Sequence, residues 1–433
     1  MMRQAESLLK DDPDAAHRLC MEVLRHKPDS LAANTMAGVI NHKADRPGAA
    51  LAYFERVTQL APHKPEGWNN LGTVYHELRL PIRAREHFMR AWELRKDDWY
   101  AANVGATYVE TGDYKTALSW VKRALAINPE CTNALTNAAF VHLGAGNWSE
   151  GWRCWRASKG TKHRKWLDFG APEWDGKRTG KLVLYGEQGI GDEVMFGSCV
   201  HDALELADEV HLECDPRLEG LFRRSFPGAV VHGTRRMDRP WADAVRFDAQ
   251  ASTADLPEFF RPTRESCPRV AYLTPDPERV IMWRALFRSW GKPVVGLCWS
   301  GGKWSSQQRK RDVGLEAFRP LIERRDAVYV SLQYKDPSAE IEACGLPVRV
   351  FGAAMSDDFD DTAALVAALD DMVGIHTTVH HLRGAMGMAS TILVPHLPLW
   401  NYATGDALPW YRSQVFHRQR ESEAWVDCIR RLV

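Results

Sequence analysis

The sequence predicts an α-helical solenoid followed by an α/β core of two units with parallel sheets. Three observations predict it. Pro28, Pro62 and Pro129 recur at intervals of 34 and then 67 residues, with similar apolar patterns between them. From Lys181 onward, short apolar runs alternate with helical patterns, which favours parallel sheets. The stretch "LVLYGEQGIGDEVMF" (182–196) reads as a strand, a glycine-rich turn and the start of a helix.

The recurrence defines the first element. "WNNLGTVYHEL" is followed by Ala84, Phe88 and Ala91, and "AANVGATYVETGDY" by Ala117, Val121 and Ala124. "NTMAGVI" is followed by Ala50, Phe54 and Val57. This is the tetratricopeptide pattern, a helix–turn–helix unit of about 34 residues. Small residues at Gly38, Gly72 and Gly105 let paired helices approach, and a proline after a second helix stops it. Three good units fill about 31–130, with a truncated one before them and a degenerate one over 132–158. Asn70, Asn103 and Asn137 each sit two residues before the small position (Gly72, Gly105, Ala139). A carboxamide donates to and accepts from a peptide backbone. A ladder of them on the concave face would hold an extended acceptor peptide; alternatively, each bonds its own superhelix.

Composition narrows the classes. Formal net charge is zero, which argues against a general nucleic-acid binder. The nine cysteines are scattered without C-x-x-C, the pattern of reduced thiols in a cytoplasmic protein rather than a disulfide framework or zinc site. No apolar h-region opens the chain and no run of 18 apolar residues occurs, so neither a secretory leader nor a membrane span is expected.

The α/β region carries candidate strands at 182–185, 209–213, 229–232, 294–299, 327–332, 348–351, 372–375 and 391–394. A loop-rich stretch near 233–269 separates two halves, and ligands of such sheets bind at the carboxyl ends of strands. The expected organisation is a repeat domain over 1–160, a tryptophan-containing junction over 161–180, a first half over 181–290 and a second half over 291–433.

"GNWSEGWRCWRAS", "FGAPEWDGKRTGKLVLYGEQGIGDEVMF", "VVGLCWSGG", "HTTVHHLRGAMG" and "LPWYRS" resemble bacterial tetratricopeptide-linked glycosyltransferases, over nearly the whole chain. Their catalytic part is similar to the heptosyltransferases, with two Rossmann-like domains in the GT-B arrangement. A second, weaker similarity is to the O-linked N-acetylglucosamine transferases. The resemblance implies an acceptor-side first half, a nucleotide-sugar-side second half and a final crossover helix. It also implies a nucleotide sugar as co-substrate without other cofactor or metal, and inverting transfer to an acceptor.

Individual residues follow. His376-Thr377-Thr378 ends a strand and opens a helix, so its hydroxyls and N–H groups suit a diphosphate; either Thr would equally serve as an N-cap. His376 and His380 are four apart, but no carboxylate completes a metal site. By resemblance, His381 falls on the histidine of the heptosyltransferase "D-T-S-x-x-H-L-A-G" motif, from which the chain departs at His376 and Arg383. Gln333 and Lys335 in "LQYKDPS" resemble donor-site residues of the O-linked N-acetylglucosamine transferases, and Arg311 aligns with the heptosyltransferase arginine. Lys303, after the turn Gly301-Gly302, adds charge for a diphosphate; a solvated loop is the alternative for this basic run. Gly189 and Gly191 belong to a glycine-rich turn of the kind that often cradles phosphate, and are expected to bind the nucleotide donor. The carboxylates of the same turn would repel phosphate but accept a proton. Asp192 matches the family's catalytic aspartate, and Glu187 is a second candidate base. A capping role for Asp192 is the alternative.

Overall fold

The computed structural model describes residues 1–9, 11–160, 164, 166–235, 237–267, 270–301, 312–355, 358–396 and 409–433. The chain forms two compact units, Met1–Val141 and His142–Val433.

The first unit is a helical solenoid: α1 (Met2–Leu8), α2 (Pro13–His26), α3 (Leu31–Lys43), α4 (Pro47–Leu60), α5 (Pro65–Glu77), α6 (Pro81–Leu94), α7 (Asp98–Glu110) and α8 (Tyr114–Ile127). Helix α9 (Thr132–Gly144) runs across the boundary. Start signals are local. Asp12, Ser30, Asp97 and Asp113 cap α2, α3, α7 and α8 through their side chains, and prolines open α2, α4, α5 and α6, where no N–H is needed. Pro28, Pro62 and Pro129 each lie two residues beyond a helix end. The pairing α3/α4, α5/α6 and α7/α8 matches the three good repeats. A Cβ on Gly72 would lie 2.6 Å from the Phe88 ring, and one on Gly38 would lie 2.6 Å from the Phe54 ring. The seams therefore close onto these glycines.

The second unit begins with α10 (Trp148–Ala157), whose Trp148 and Trp152 pack on Trp410 at centroid separations of 5.2 and 6.0 Å. This moves α10 from the repeat domain into the α/β core, because its apolar face is buried there. A four-stranded sheet follows: β1 (Thr179–Tyr185), β2 (Ala207–Glu213), β3 (Ala229–His232) and β4 (Ala249–Ser252), all parallel in the order β3-β2-β1-β4. Its helices are α11 (Ile190–Phe196), α12 (Val200–Leu206), α13 (Glu219–Ser225), α14 (Pro240–Asp243) and α15 (Leu256–Phe260).

The second sheet contains β5 (Val294–Cys298), β6 (Val328–Ser331), β7 (Val348–Arg349), β8 (Asp371–Ile375), β9 (Ser390–Val394) and β10 (Gln414–Arg418). All pairs are parallel, in the order β10-β9-β8-β5-β6-β7. Counted from β5, this is the doubly wound order of dinucleotide-binding sheets, and the first sheet has its first four places. Helices α16 (Pro277–Arg288), α17 (Arg319–Arg324), α18 (Ser338–Cys344), α19 (Phe359–Ala368), α20 (Thr378–Ala385) and α21 (Trp425–Arg430) accompany it.

Two further features differ from the sequence expectation. Helix α16 packs on α19, with Trp283 donating to Asp361 at 2.8 Å, so the second half starts before 290. The final helix α21 places Ile429 in the second sheet's own core with Val295, Leu297 and Phe318, rather than crossing to the first half. Asp360 and Asp361 stand in the first turn of α19, and Asp358, its N-cap, accepts from the N–H groups of both. All nine cysteines are unpaired. Among the described residues, no helix is long and apolar enough to cross a membrane.

Candidate functional site

The strand order reverses between β1 and β4 in the first sheet and between β5 and β8 in the second. Crevices at such reversals are where doubly wound sheets bind ligands. Here the turns after β1 and β8 meet, because α11 packs directly against α20. A Cβ on Gly191 would stand 3.1 Å from Thr378 Oγ1 and 3.3 Å from His381 Cδ2. The close approach that Gly191 permits is thus made by the helix of the second half, and not by a ligand, as the sequence suggested. Gly189 is the N-cap of α11.

The two candidate bases of this turn part ways. Asp192 is half-buried and is not the N-cap that the sequence alternative made it: it stands third in α11, and its Oδ2 accepts the N–H of the N-cap Gly189 at 3.0 Å. Glu187 is fully buried. Its Oε1 accepts from Arg164 Nε at 2.9 Å, Arg164 Nη2 at 2.6 Å and Ser252 Oγ at 2.9 Å. Arg164 also donates to Asp255 at 2.6 Å. Burial raises the Glu187 carboxyl above its ordinary range, against the opposing pull of Arg164. Glu187 is corrected from a cleft-facing base to one member of a buried ionic cluster. Arg164 carries no sequence signal that would pair it with residues 23 and 91 positions away.

On the other side, Thr377 is the N-cap of α20 without a side-chain capping bond, and its Oγ1 points to Cys298 Sγ at 3.6 Å. Thr377 and Thr378 are half-buried, beside a helix N-terminus whose first N–H groups lack intrahelical partners. His376 and His381 lie against each other, edge to face, with centroids 4.1 Å apart. His380 points away into the core, where Nδ1 meets Ser390 Oγ at 3.1 Å. Burial, with the neighbouring charges of His381 and Arg383, lowers its pKa to about 3.

Arg383 departs from the motif for a local reason. It is buried and donates to the carbonyls of Ala389, Val366 and Leu369 at 2.6, 2.7 and 3.2 Å, tying down the end of α19. Gln333 is likewise spent on backbone: its carboxamide donates to the Ser300 carbonyl at 2.9 Å and accepts the Ser300 N–H at 3.2 Å. It positions the strand end of β5. Lys335 is exposed beside Tyr334. Lys303 and Arg311 lie outside the described residues.

Two residues that no sequence argument singled out complete the site. Tyr411 OH meets His381 Nδ1 at 3.0 Å, and Tyr272 OH meets Tyr411 OH at 3.2 Å. Tyr411 sits in the quoted "LPWYRS"; Tyr272 lies in a segment without any motif.

The asparagine ladder of the solenoid resolves into separate roles. Asn137 is buried and donates to the Ala102 carbonyl at 2.8 Å; Asn103 donates to Asn69 Oδ1 at 2.8 Å. Both link neighbouring repeats, so one N–H of each amide serves the superhelix, the alternative that the sequence left open. Asn70 is half-buried, and among the described residues its side chain makes no hydrogen bond.

Comparisons with known proteins find one family model and several similar chains. The tetratricopeptide repeat family model matches residues 100–131. Protein FlbA of Caulobacter vibrioides is 28% identical over 429 residues, covering 93% of this chain and 72% of that protein. Superkiller protein 3 of Schizosaccharomyces pombe is 27% identical over 113 residues, 25% of this chain and 8% of that one. Among solved structures, MamA aligns with TM-score 0.33 and 19% identity, over 35% of this chain and 90% of its own. YrrB, a TPR protein with an unusual peptide-binding site, aligns with TM-score 0.32 and 20% identity, over 36% and 82%. The chain thus contains tetratricopeptide repeats, and its C-terminal region carries parallel sheets.

Proposed function

We propose that this chain is a cytoplasmic GT-B glycosyltransferase that moves a sugar from a nucleotide-sugar donor to a protein or peptide acceptor. The observation that carries the reading is the meeting of Gly191 with Thr378 and His381 at the carboxyl ends of β1 and β8. It brings a carboxylate-bearing turn to a helix N-terminus. A diphosphate suits the N-terminus of α20, whose N–H groups and dipole favour anions. Asp192 suits the base that removes the proton from the acceptor hydroxyl as it attacks the anomeric carbon. No metal takes part in this reading. The repeats supply the protein-binding surface, with Asn70 the ladder residue whose carboxamide remains available.

A second reading is a binding scaffold without turnover. The Gly189–Asp192 bond favours it, since a carboxylate held by its own turn has a structural use.

Thermal shift with UDP-, GDP-, CMP- and ADP-sugars tests the donor site. A ligand present at a hundredfold excess over its Kd stabilises the fold by about 2.7 kcal/mol. One nucleotide class raising the Tm supports a donor site, and its loss in Thr377→Val places it at α20. No shift with any donor contradicts the transferase.

A further inference from the structure

We propose that the outer face of α16 is a self-association surface, on which a second copy of this chain lays its own α16 antiparallel about a two-fold axis. The inference stands apart from the transferase reading.

Helix α16 is apolar on two sides. Val280 and Phe287 are buried, Trp283 is half-buried, and this side packs on α19. On the opposite side Ile281, Met282 and Leu286 are 67%, 71% and 40% exposed, with Ala285 exposed among them. A helix at a protein surface turns polar residues outward, whereas one that is apolar all round is a covered helix. Large apolar side chains adjacent on one helix face form a patch rather than scattered surface residues, and such patches mark contacts with another molecule.

The order of residues along that face points to the occupant. Glu278, Ile281, Ala285 and Arg288 follow one another at spacings of three, four and three, the seam along which two helices pack. When two identical seams run antiparallel, centred on Trp283, Ile281 faces Ala285 of the second copy and Glu278 faces its Arg288. The two-fold axis repeats both pairs, as a self-complementary interface requires. Every contact then sets large against small or acid against base. A parallel pair would set Glu278 on Glu278 and Arg288 on Arg288. Both charges are exposed, and among the described residues neither has an ion pair. The flanking cations are engaged within the fold: Arg279 is held by Asp358, and Arg284 donates to the Ala367 carbonyl at 3.4 Å. The seam is short, since 12 residues of helix span about 18 Å. Interfaces of that size are weak, so the association should depend on concentration.

Sedimentation velocity of the full chain over about 1–500 μM tests this. The expected result is conversion from monomer to dimer as concentration rises. Ile281→Lys places a cation in the apolar centre of both copies and should raise the dimer dissociation constant about tenfold or more. Ile281 is exposed, so thermal melts of the variant should match the parent. Glu278→Arg and Arg288→Glu should each weaken the dimer by setting like charges together. The double variant Glu278→Arg/Arg288→Glu should restore association to near the parent value. That restoration is specific, because it needs position 278 of one copy to meet position 288 of the other. A chain that stays monomeric at every concentration overturns the proposal, including one that binds anionic lipid vesicles or a different protein through this face. A dimer indifferent to Ile281→Lys overturns it as well, and so does a double variant no stronger than the single ones.

Discussion

Asp192 Oδ2 and the Gly189 N–H are joined by a 3.0 Å hydrogen bond across the first turn of α11. The carboxylate proposed to take a proton is therefore also the one that holds its own turn. Asp192→Asn separates the two uses. Asparagine keeps an acceptor oxygen, so chemical unfolding should show a change below about 1 kcal/mol. Loss of proton uptake should lower turnover about 10²–10⁴-fold with donor affinity retained. Turnover at the parent rate would leave capping as its only role.

Glu187→Gln should give the opposite profile. Removing one charge from a buried ion pair costs about 3–5 kcal/mol, and the lower end is expected because Asp255 still faces Arg164. Urea unfolding of the variant should detect this loss directly. A variant as stable as the parent would mean that Arg164 is balanced without Glu187.

In the solenoid, Gly72→Ala should destabilise by about 1–3 kcal/mol, since the new Cβ would sit 2.6 Å from the Phe88 ring. Adding Phe88→Leu should restore part of the loss. Gly48→Ala is the control: nothing lies within 4 Å of its Cβ position. There the helix gains up to about 1 kcal/mol from alanine's propensity.

His380 makes stability pH-dependent. Its folded pKa is lowered to about 3, while the unfolded chain titrates near the ordinary 6.5. Between these values the unfolded state binds the extra proton, so stability falls as pH falls from about 6.5 toward 3. The slope is at most about 1.4 kcal/mol per pH unit for this group. His380→Gln should flatten that part of a stability-versus-pH curve; an identical curve would assign the acid sensitivity elsewhere.

The repeats were legible because local signals agreed: period, small residues and helix-stopping prolines all repeat within 34 residues. Eight strands were legible as apolar runs. The two that were not, β4 "AQAS" and β10 "QVFHR", are short and polar in composition, and their place is set by neighbours β1 and β9. The turn after β1 was recognisable, but what its residues touch was not. Glu187 meets Arg164 and Asp255 only through the fold, and Gly191 faces α20 across nearly 190 residues of sequence. Asn137 shows the same limit: its position in the repeat was clear, but its bond to Ala102 depends on how successive helices stack.

The central claim is sugar transfer from a nucleotide donor, and acceptor-independent turnover tests it most directly. The pure full-length protein is incubated with each nucleotide sugar in excess EDTA, and released nucleoside diphosphate is measured over time. The account predicts steady release from one donor class, undiminished by EDTA and lowered about 10²–10⁴-fold by Asp192→Asn. Binding of a donor without any release, in the presence of candidate protein acceptors as well as water, would contradict it and leave a scaffold.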